Sequence, residues 1–220
     1  MHPSPHSHTE TASAWVQRWA HLVPAGGSVL DVACGSGRHL RWFADLDHPV
    51  VGVDRSVEAL ASIGLPPERC QIVQADIEGS PWPLTGRLFA AVVVTNYLWR
   101  PLLPTLLDSL AEGGVMIYET FASGHETIGR PSRPDFLLKP GELLKVFEDL
   151  RVVAFEDGYE DGAGDGVANG AEVGPNSSGP ALAPARTARS PRFVQRIAAV
   201  RQTPWAPGAA AREPARYRLR

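Results

Sequence analysis

The chain has 220 residues, 44% hydrophobic and 20% charged, with a formal net charge of -3, enough for one domain that buries about two-thirds of its surface. Such a core needs neither disulfides nor metals for its stability, and the small net charge does not predict strong attraction to nucleic acid or an anionic membrane. The two cysteines, Cys34 and Cys70, exclude a disulfide framework and point to reduced thiols. The longest apolar runs, such as Leu88 to Val94, fall far short of the ~20 residues of a membrane span, and the His- and Pro-containing N-terminus lacks a signal-peptide apolar region. A cytoplasmic protein with no membrane partner is expected. Of the basic residues 19 are Arg and two, Lys139 and Lys145, are Lys, a bias that lowers what any single arginine says.

Residues 1–10 hold histidines, prolines and serines with nothing apolar to anchor them after Met1, and are expected to be disordered. From Thr11 to Leu22 the apolar residues Trp15, Val16, Trp19, Ala20 and Leu22 recur at helical spacing, until Pro24 and Gly26-Gly27 end the pattern. Ser28 to Ala33 is a short apolar run that leads through Cys34-Gly35-Ser36-Gly37 into a helical stretch, Arg38 to Leu46. This reads as strand, glycine turn, helix. Pro49 to Asp54 is a second strand ending on an acid, followed by a helix over Ser56 to Ile63, and Cys70 to Ala75 is a third strand followed by Asp76.

Leu88 to Thr95 is a fourth strand, Pro101 to Ala111 a helix stopped by Gly113-Gly114, and Val115 to Thr120 a fifth strand. Phe121 to Lys139 is too rich in Gly, Pro and Ser for a regular element and exceeds the usual connection length, which predicts a lid or substrate loop. Gly141 to Leu150 is a helix, Arg151 to Glu156 a sixth strand and Arg192 to Val200 a seventh. Short strands without polar alternation, separated by helices, indicate a parallel sheet covered on both faces. The expected class is α/β. Residues 11–201 read as a single domain, residues 157–191 as a low-complexity insertion between the last two strands, and residues 202–220 as a Pro/Ala/Arg-rich tail.

The sharpest signal is Asp31-Val-Ala-Cys-Gly-Ser-Gly37 at a strand-to-helix turn. Glycine there permits positive φ and leaves room for the backbone to approach a ligand at the carboxyl edge of the sheet. Asp54 lies 17 residues beyond Gly37, close to the ~20 at which an acid meets ribose hydroxyls in dinucleotide folds. Leu40 stands where those folds carry a third glycine, and Asp31 ahead of the turn would repel a pyrophosphate but attract an ammonium. A cationic adenosine ligand fits better than a polyphosphate, with Asp76 placed for the adenine amino group and Ile77 for apolar contact.

VLDVACGSGRHL, VVGVDRS, QADIEGSPWPL and AVVVTNYLWRPLLPTLLDSLAEGGVMIYETF together resemble the class I S-adenosylmethionine-dependent methyltransferases, over about residues 28–200. GELLKVFEDLRVVAFED followed by RFVQRIAAVR resembles the TehB-like, tellurite-resistance branch. The resemblance implies a Rossmann-like seven-stranded sheet, mostly parallel with the last strand antiparallel and helices on both faces, and S-adenosylmethionine as cofactor, with S-adenosylhomocysteine as product. It places Asp31, Ala33, Gly35, Gly37, Asp54, Arg55, Asp76, Ile77 and Asn96 in the cofactor site. Ala33 stands in place of the commonest first glycine, and the tract before the last strand is unusual for the family.

Methyl transfer from a sulfonium asks the protein mainly for alignment and a dry pocket. An amine or hydroxyl acceptor also needs a base. Tyr97, Glu119 and His125 are the candidates, against the simpler reading that polar groups at strand ends are solvated. Tyr97 and Trp99 are expected to wall an acceptor pocket, with core packing as the alternative, and Asp31, Asp54 and Asp76 could instead cap turns. The Asn-Pro-Pro-aromatic motif is absent after the fourth strand, which argues against adenine N6 or glutamine methylation. Arg38 and Arg100 could contact a carboxylate. Cys34 reads as a packed residue, and His2, His6 and His8 as inert, so no metal is expected. The expected partner is a small-molecule methyl acceptor. The alternatives are an RNA- or protein-directed methyltransferase docking through the arginines from Arg186 onward, an NAD(P)-dependent oxidoreductase, and a protein that holds the cofactor without turnover.

Overall fold

The structure, a computed structural model, describes residues 11–162, 190–202 and 216–219. The N-terminal segment, most of the low-complexity tract and most of the arginine-bearing tail lie outside these residues.

Among the described residues, seven strands form one sheet in the order β3-β2-β1-β4-β5-β7-β6. They are β1 (Val29–Val32), β2 (Val50–Asp54), β3 (Cys70–Gln74), β4 (Phe89–Thr95), β5 (Leu110–Phe121), β6 (Arg151–Glu160) and β7 (Arg192–Val200). The pairs β1/β2, β2/β3, β1/β4 and β4/β5 are parallel, whereas β7 runs antiparallel to both β5 and β6. The strand order reverses between β1 and β4, which opens a crevice at their carboxyl ends.

The unbroken apolar strands follow from burial on both faces. Successive residues of β4 alternate between two clusters. Val92 and Val94 pack with Leu30, Met116, Tyr118, Leu143 and Phe147, whereas Ala91 and Val93 pack with Trp15, Trp19, Leu40 and Phe43. The second cluster is covered by α1 (Ala14–Trp19) and α2 (Arg38–Asp45). The other helices are α3 (Val57–Ala61), α4 (Leu103–Asp108) and α5 (Glu142–Val146). No helix among the described residues is long and apolar enough to cross a membrane.

Two strand boundaries differ by several residues from the sequence reading. The glycines expected to stop the helix before β5 lie inside that strand, which starts at Leu110. Gly113 has φ +73, so the chain bulges there and resumes pairing with β4, from Phe89–Leu110 to Ala91–Val115. The strand β6 runs on to Glu160, so residues 157–160 belong to the sheet and not to the low-complexity tract. Their polarity hides them from a search for apolar runs, yet they pair with Arg192 to Gln195 of β7.

Candidate active site

The turn after β1 carries Ala33 at φ 54, Gly35 at φ 53 and Gly37 at φ 76. The two glycines accept this conformation freely, whereas at Ala33 it costs about 1–2 kcal/mol. That is the conformation for which glycine is the commoner choice, and Ala33 adopts it regardless. A Cβ on Gly35 would meet nothing within 4 Å, while one on Gly37 would strike Ile63 at 2.9 Å. The open side of Gly35 is therefore room for a ligand. At Gly37 the lack of a side chain serves packing.

Asp54 closes the turn from β2. Its Oδ2 accepts the Gly35 amide at 2.8 Å and its Oδ1 accepts the Ser56 amide at 2.9 Å. A carboxylate offers about four lone-pair positions, so both oxygens keep acceptor capacity. Asp76 is an exposed residue whose Oδ1 accepts the Glu78 and Gly79 amides at 3.1 and 3.3 Å. It makes the turn that the simpler reading allows, and the Oδ2 stays available.

Asp31 differs from both. It is 1% exposed, and its Oδ2 has no hydrogen-bond partner. The Nδ1 of His39 lies 3.6 Å away, beyond hydrogen-bond reach. A buried carboxylate oxygen without a donor is costly unless a charged or donating ligand meets it. His39 is held by Ser13, whose amide donates to Nε2 at 3.2 Å. The Ser13 hydroxyl in turn donates to Glu119 at 2.8 Å.

Glu119 ends its path there. Its Oε2 accepts from Arg196 at 3.1 Å and Arg192 at 3.4 Å, and both arginines also pair with Glu160. The carboxylate thus ties the N-cap of α1 to β7. His125 is buried, stacks on Phe121 with ring centroids 4.4 Å apart, and bonds the Arg130 carbonyl through Nε2.

A pocket of about 270 Å³ opens beyond the carboxyl ends of β4 and β5, lined by Glu78, Asn96, Tyr97, Leu98, Thr120, Phe121, Pro131 and Phe136. Neither Glu119 nor His125 lines it. Asn96 holds φ 55 and donates its amide to the Glu119 carbonyl at 2.9 Å, a strained turn that brings Asn96 and Tyr97 to the pocket. The Tyr97 hydroxyl is buried without a well-formed hydrogen bond. Burial first, and then the Glu78 carboxylate, push the phenol above its ordinary value, with Asp76 adding to the rise and Arg55 opposing it. Tyr97 accordingly keeps its proton at neutral pH and can donate a hydrogen bond. Trp99 packs against the core instead.

The loop expected to act as a lid supplies Phe121, Pro131 and Phe136 to this pocket. It is held by Arg100, which grips Glu142 through Nε and one terminal nitrogen at 2.7 and 2.9 Å and donates to the carbonyls of Asp135 and Leu137, both at 2.8 Å. The carboxylate that Arg100 meets is one of its own chain. Sequence reasoning missed Ser13 and His39, whose signal is only tertiary, and Glu78, which stands two positions after a singled-out acid.

Residues 29–114 match a family described as a methyltransferase domain. That stretch is similar to a methyltransferase domain. It spans β1 to the start of β5 and so contains the glycine turn and all three strand-end acids. The whole sheet has the fold of the class I S-adenosylmethionine-dependent methyltransferases, including TehB-like ones. TehB from Haemophilus influenzae superposes with a TM-score of 0.60 at 16% identity, covering 84% of this chain and 60% of that one. A TehB-like S-adenosylmethionine-dependent methyltransferase from Corynebacterium glutamicum gives 0.52 at 15% identity, with 86% and 87% covered. The glycopeptide N-methyltransferase MtfA, crystallised with S-adenosylmethionine, gives 0.54 at 18% identity, with 91% and 99% covered. At such identities the likeness is one of fold, and this chain spans less than two-thirds of the TehB chain. No curated protein is significantly similar to it in sequence.

Proposed function

We propose that this methyltransferase domain binds S-adenosylmethionine at the carboxyl edge of β1, β2 and β3 and methylates a small-molecule acceptor in the adjoining pocket. The open side of Gly35, whose amide is held by Asp54, carries the reading, and the buried Asp31 carboxylate, with no donor within hydrogen-bond distance of its Oδ2, adds a negative charge that favours a cationic ligand. The donor set fits: Asp31 for the ammonium, the Gly35 backbone for close approach, the spare lone pairs of Asp54 for the ribose hydroxyls, and Asp76 with Ile77 for adenine. Crystals of the fold neighbour MtfA with the cofactor, and with S-adenosylhomocysteine, support that ligand.

When bound, this cofactor supplies an activated methyl group on a sulfonium. The chain's own residues then have three tasks. Asn96 and Tyr97 mark the site where the acceptor meets the methyl group. Leu98, Phe121, Pro131 and Phe136 exclude water from it. Arg100 fixes the loop that brings Pro131 and Phe136 into place, and alignment of this kind supplies much of the rate in a displacement between two bound partners.

Calorimetry with S-adenosylhomocysteine tests the cofactor. Wild type should bind it, and Asp54→Ala should lose the binding while keeping its fold. Wild-type affinity in Asp54→Ala, or stabilisation by NAD(H) and not by S-adenosylhomocysteine, would overturn the reading. A labelled-methyl screen against a cell extract then looks for the acceptor, and labelled macromolecules alone would refute a small-molecule substrate.

A further inference from the structure

From the chemistry of the pocket walls we infer that the methyl acceptor is a small amine with an apolar or aromatic body, bound as its cation. This deepens the proposed methyl transfer and rests on it. The pocket beyond β4 and β5 has one ionisable carboxylate among its lining residues, Glu78, and no lysine, arginine or histidine. Its remaining walls are the aromatic rings of Tyr97, Phe121 and Phe136, the apolar Leu98 and Pro131, and the neutral Asn96 and Thr120. A carboxylate next to π-faces favours a cation over a neutral isostere and repels an anion.

The surrounding charges point the same way. Asp76 and Glu78 both raise the Tyr97 phenol, and Arg55 is the cation that opposes them there. The guanidinium of Arg133 lies over the Phe136 ring at 5.2 Å, but it is paired with Asp135 at 2.8 Å and so brings little net charge. Phe121, which lines the pocket, also stacks on His125. A carboxylate or phosphate acceptor would need a counter-cation on the wall, and Arg100, the basic residue nearest in role, is committed to Glu142 and two loop carbonyls.

A volume of about 270 Å³ lies at the lower end of small-molecule sites, which run to roughly 300–1,000 Å³. The acceptor is therefore compact. An extended polymer could offer no more than one side chain. The Glu78 carboxylate accepts the N–H donors of the ammonium and takes one of its protons, which frees the nitrogen lone pair to bond the methyl carbon as that carbon's bond to sulfur breaks and the thioether leaves; the Tyr97 hydroxyl, buried beside Glu78 without a well-formed hydrogen bond, is a donor for a second polar group on the same molecule.

The test titrates matched pairs of arylalkylamines and arylalkanoates of equal length, 2-phenylethylamine against phenylacetate among them, into the full chain by calorimetry, with and without saturating S-adenosylhomocysteine. The expected result is that amines bind at least ten-fold more tightly than their paired carboxylates, without displacing the nucleoside, and that Glu78→Gln removes most of that preference. Circular dichroism and thermal melting check that the variant is folded. Equal or tighter binding of the carboxylates, no binding by any amine, competition between amine and nucleoside, or an unchanged preference in folded Glu78→Gln overturns the proposal. Failure of the nucleoside itself to bind overturns the cofactor assignment, whereas the titrations without it still decide the acceptor class.

Discussion

His39 presents Nδ1 to Asp31 Oδ2 across 3.6 Å, with both side chains 2% exposed. Because the Ser13 amide donates to Nε2, the ring proton belongs on Nδ1, facing the acid. The imidazole therefore steadies Asp31 without satisfying it, and it does so from a position fixed by the cap of α1. His39→Leu would keep the bulk but strand the buried Ser13 amide, a loss of about 1–3 kcal/mol, and would remove the ring proton that faces Asp31 from beyond hydrogen-bond distance. We expect a lower urea midpoint and at least ten-fold weaker S-adenosylhomocysteine binding by calorimetry. An unchanged midpoint would show that Ser13 and Asp31 do not depend on this ring.

The two glycines of the turn should separate ligand approach from packing. At Gly35 an added Cβ meets no atom within 4 Å, whereas at Gly37 it strikes Ile63 at 2.9 Å; both positions have positive φ. Gly35→Ala carries only the backbone strain of about 1–2 kcal/mol, and should stay folded while losing nucleoside affinity. Gly37→Ala adds a clash that Ile63 must yield to, and should lose more stability in thermal melts. The reverse order of melting temperatures would refute this division of labour.

The sequence made the sheet legible wherever burial on both faces left a continuous apolar run, as in Phe89 to Val94. It failed where something other than hydrophobicity sets the structure. Gly113-Gly114 looks like a helix stop but serves a bulge within β5, and Asp157 to Glu160 is polar strand held by its pairing to β7. In the site, the glycine turn and the strand-end acids announce themselves because their geometry is local. The chain of contacts through Ser13, His39 and Glu119 does not, since those residues meet only after α1 packs on the sheet. Glu119 is the instructive case: a polar residue at a strand end suggests catalysis, yet its carboxylate is engaged by Ser13, Arg192 and Arg196.

Both thiols should be inert in the folded protein. Burial, then the charges of Asp31 and Asp54, push the Cys34 thiol up, and burial followed by Asp31 does the same at Cys70. The thiolate is the reactive form, so each shift suppresses alkylation. Mass spectrometry after iodoacetamide treatment at pH 8 should find both cysteines unmodified over a period that fully alkylates the urea-unfolded chain. Rapid native modification of Cys34 would mean that the turn opens and would contradict its role as a packed residue beneath Gly52, whose added Cβ would lie 2.9 Å from Cys34 Sγ.

The clamp between Arg100 and Glu142 predicts how stability depends on pH. Burial works against the ionised Glu142, but the Arg100 hydrogen bond, the Lys139 amide and the charges of both residues outweigh it, so its pKa falls below the ordinary 4.5. A carboxyl that ionises more readily in the folded chain adds stability above its unfolded value, and that contribution is lost as pH falls through the lower folded value. Glu160, lowered against its own burial by Arg192 and then Arg196, adds a second such slope. Urea midpoints measured from pH 7 downward should therefore drop below pH 4.5 in the wild type. Glu142→Gln should start lower at pH 7, fall less steeply on acidification, and converge with the wild type once Glu142 is protonated, keeping the part of the slope due to Glu160 and the other carboxyls. Parallel curves for the two proteins would show that the loop carrying Pro131 and Phe136 is not held by this ion pair.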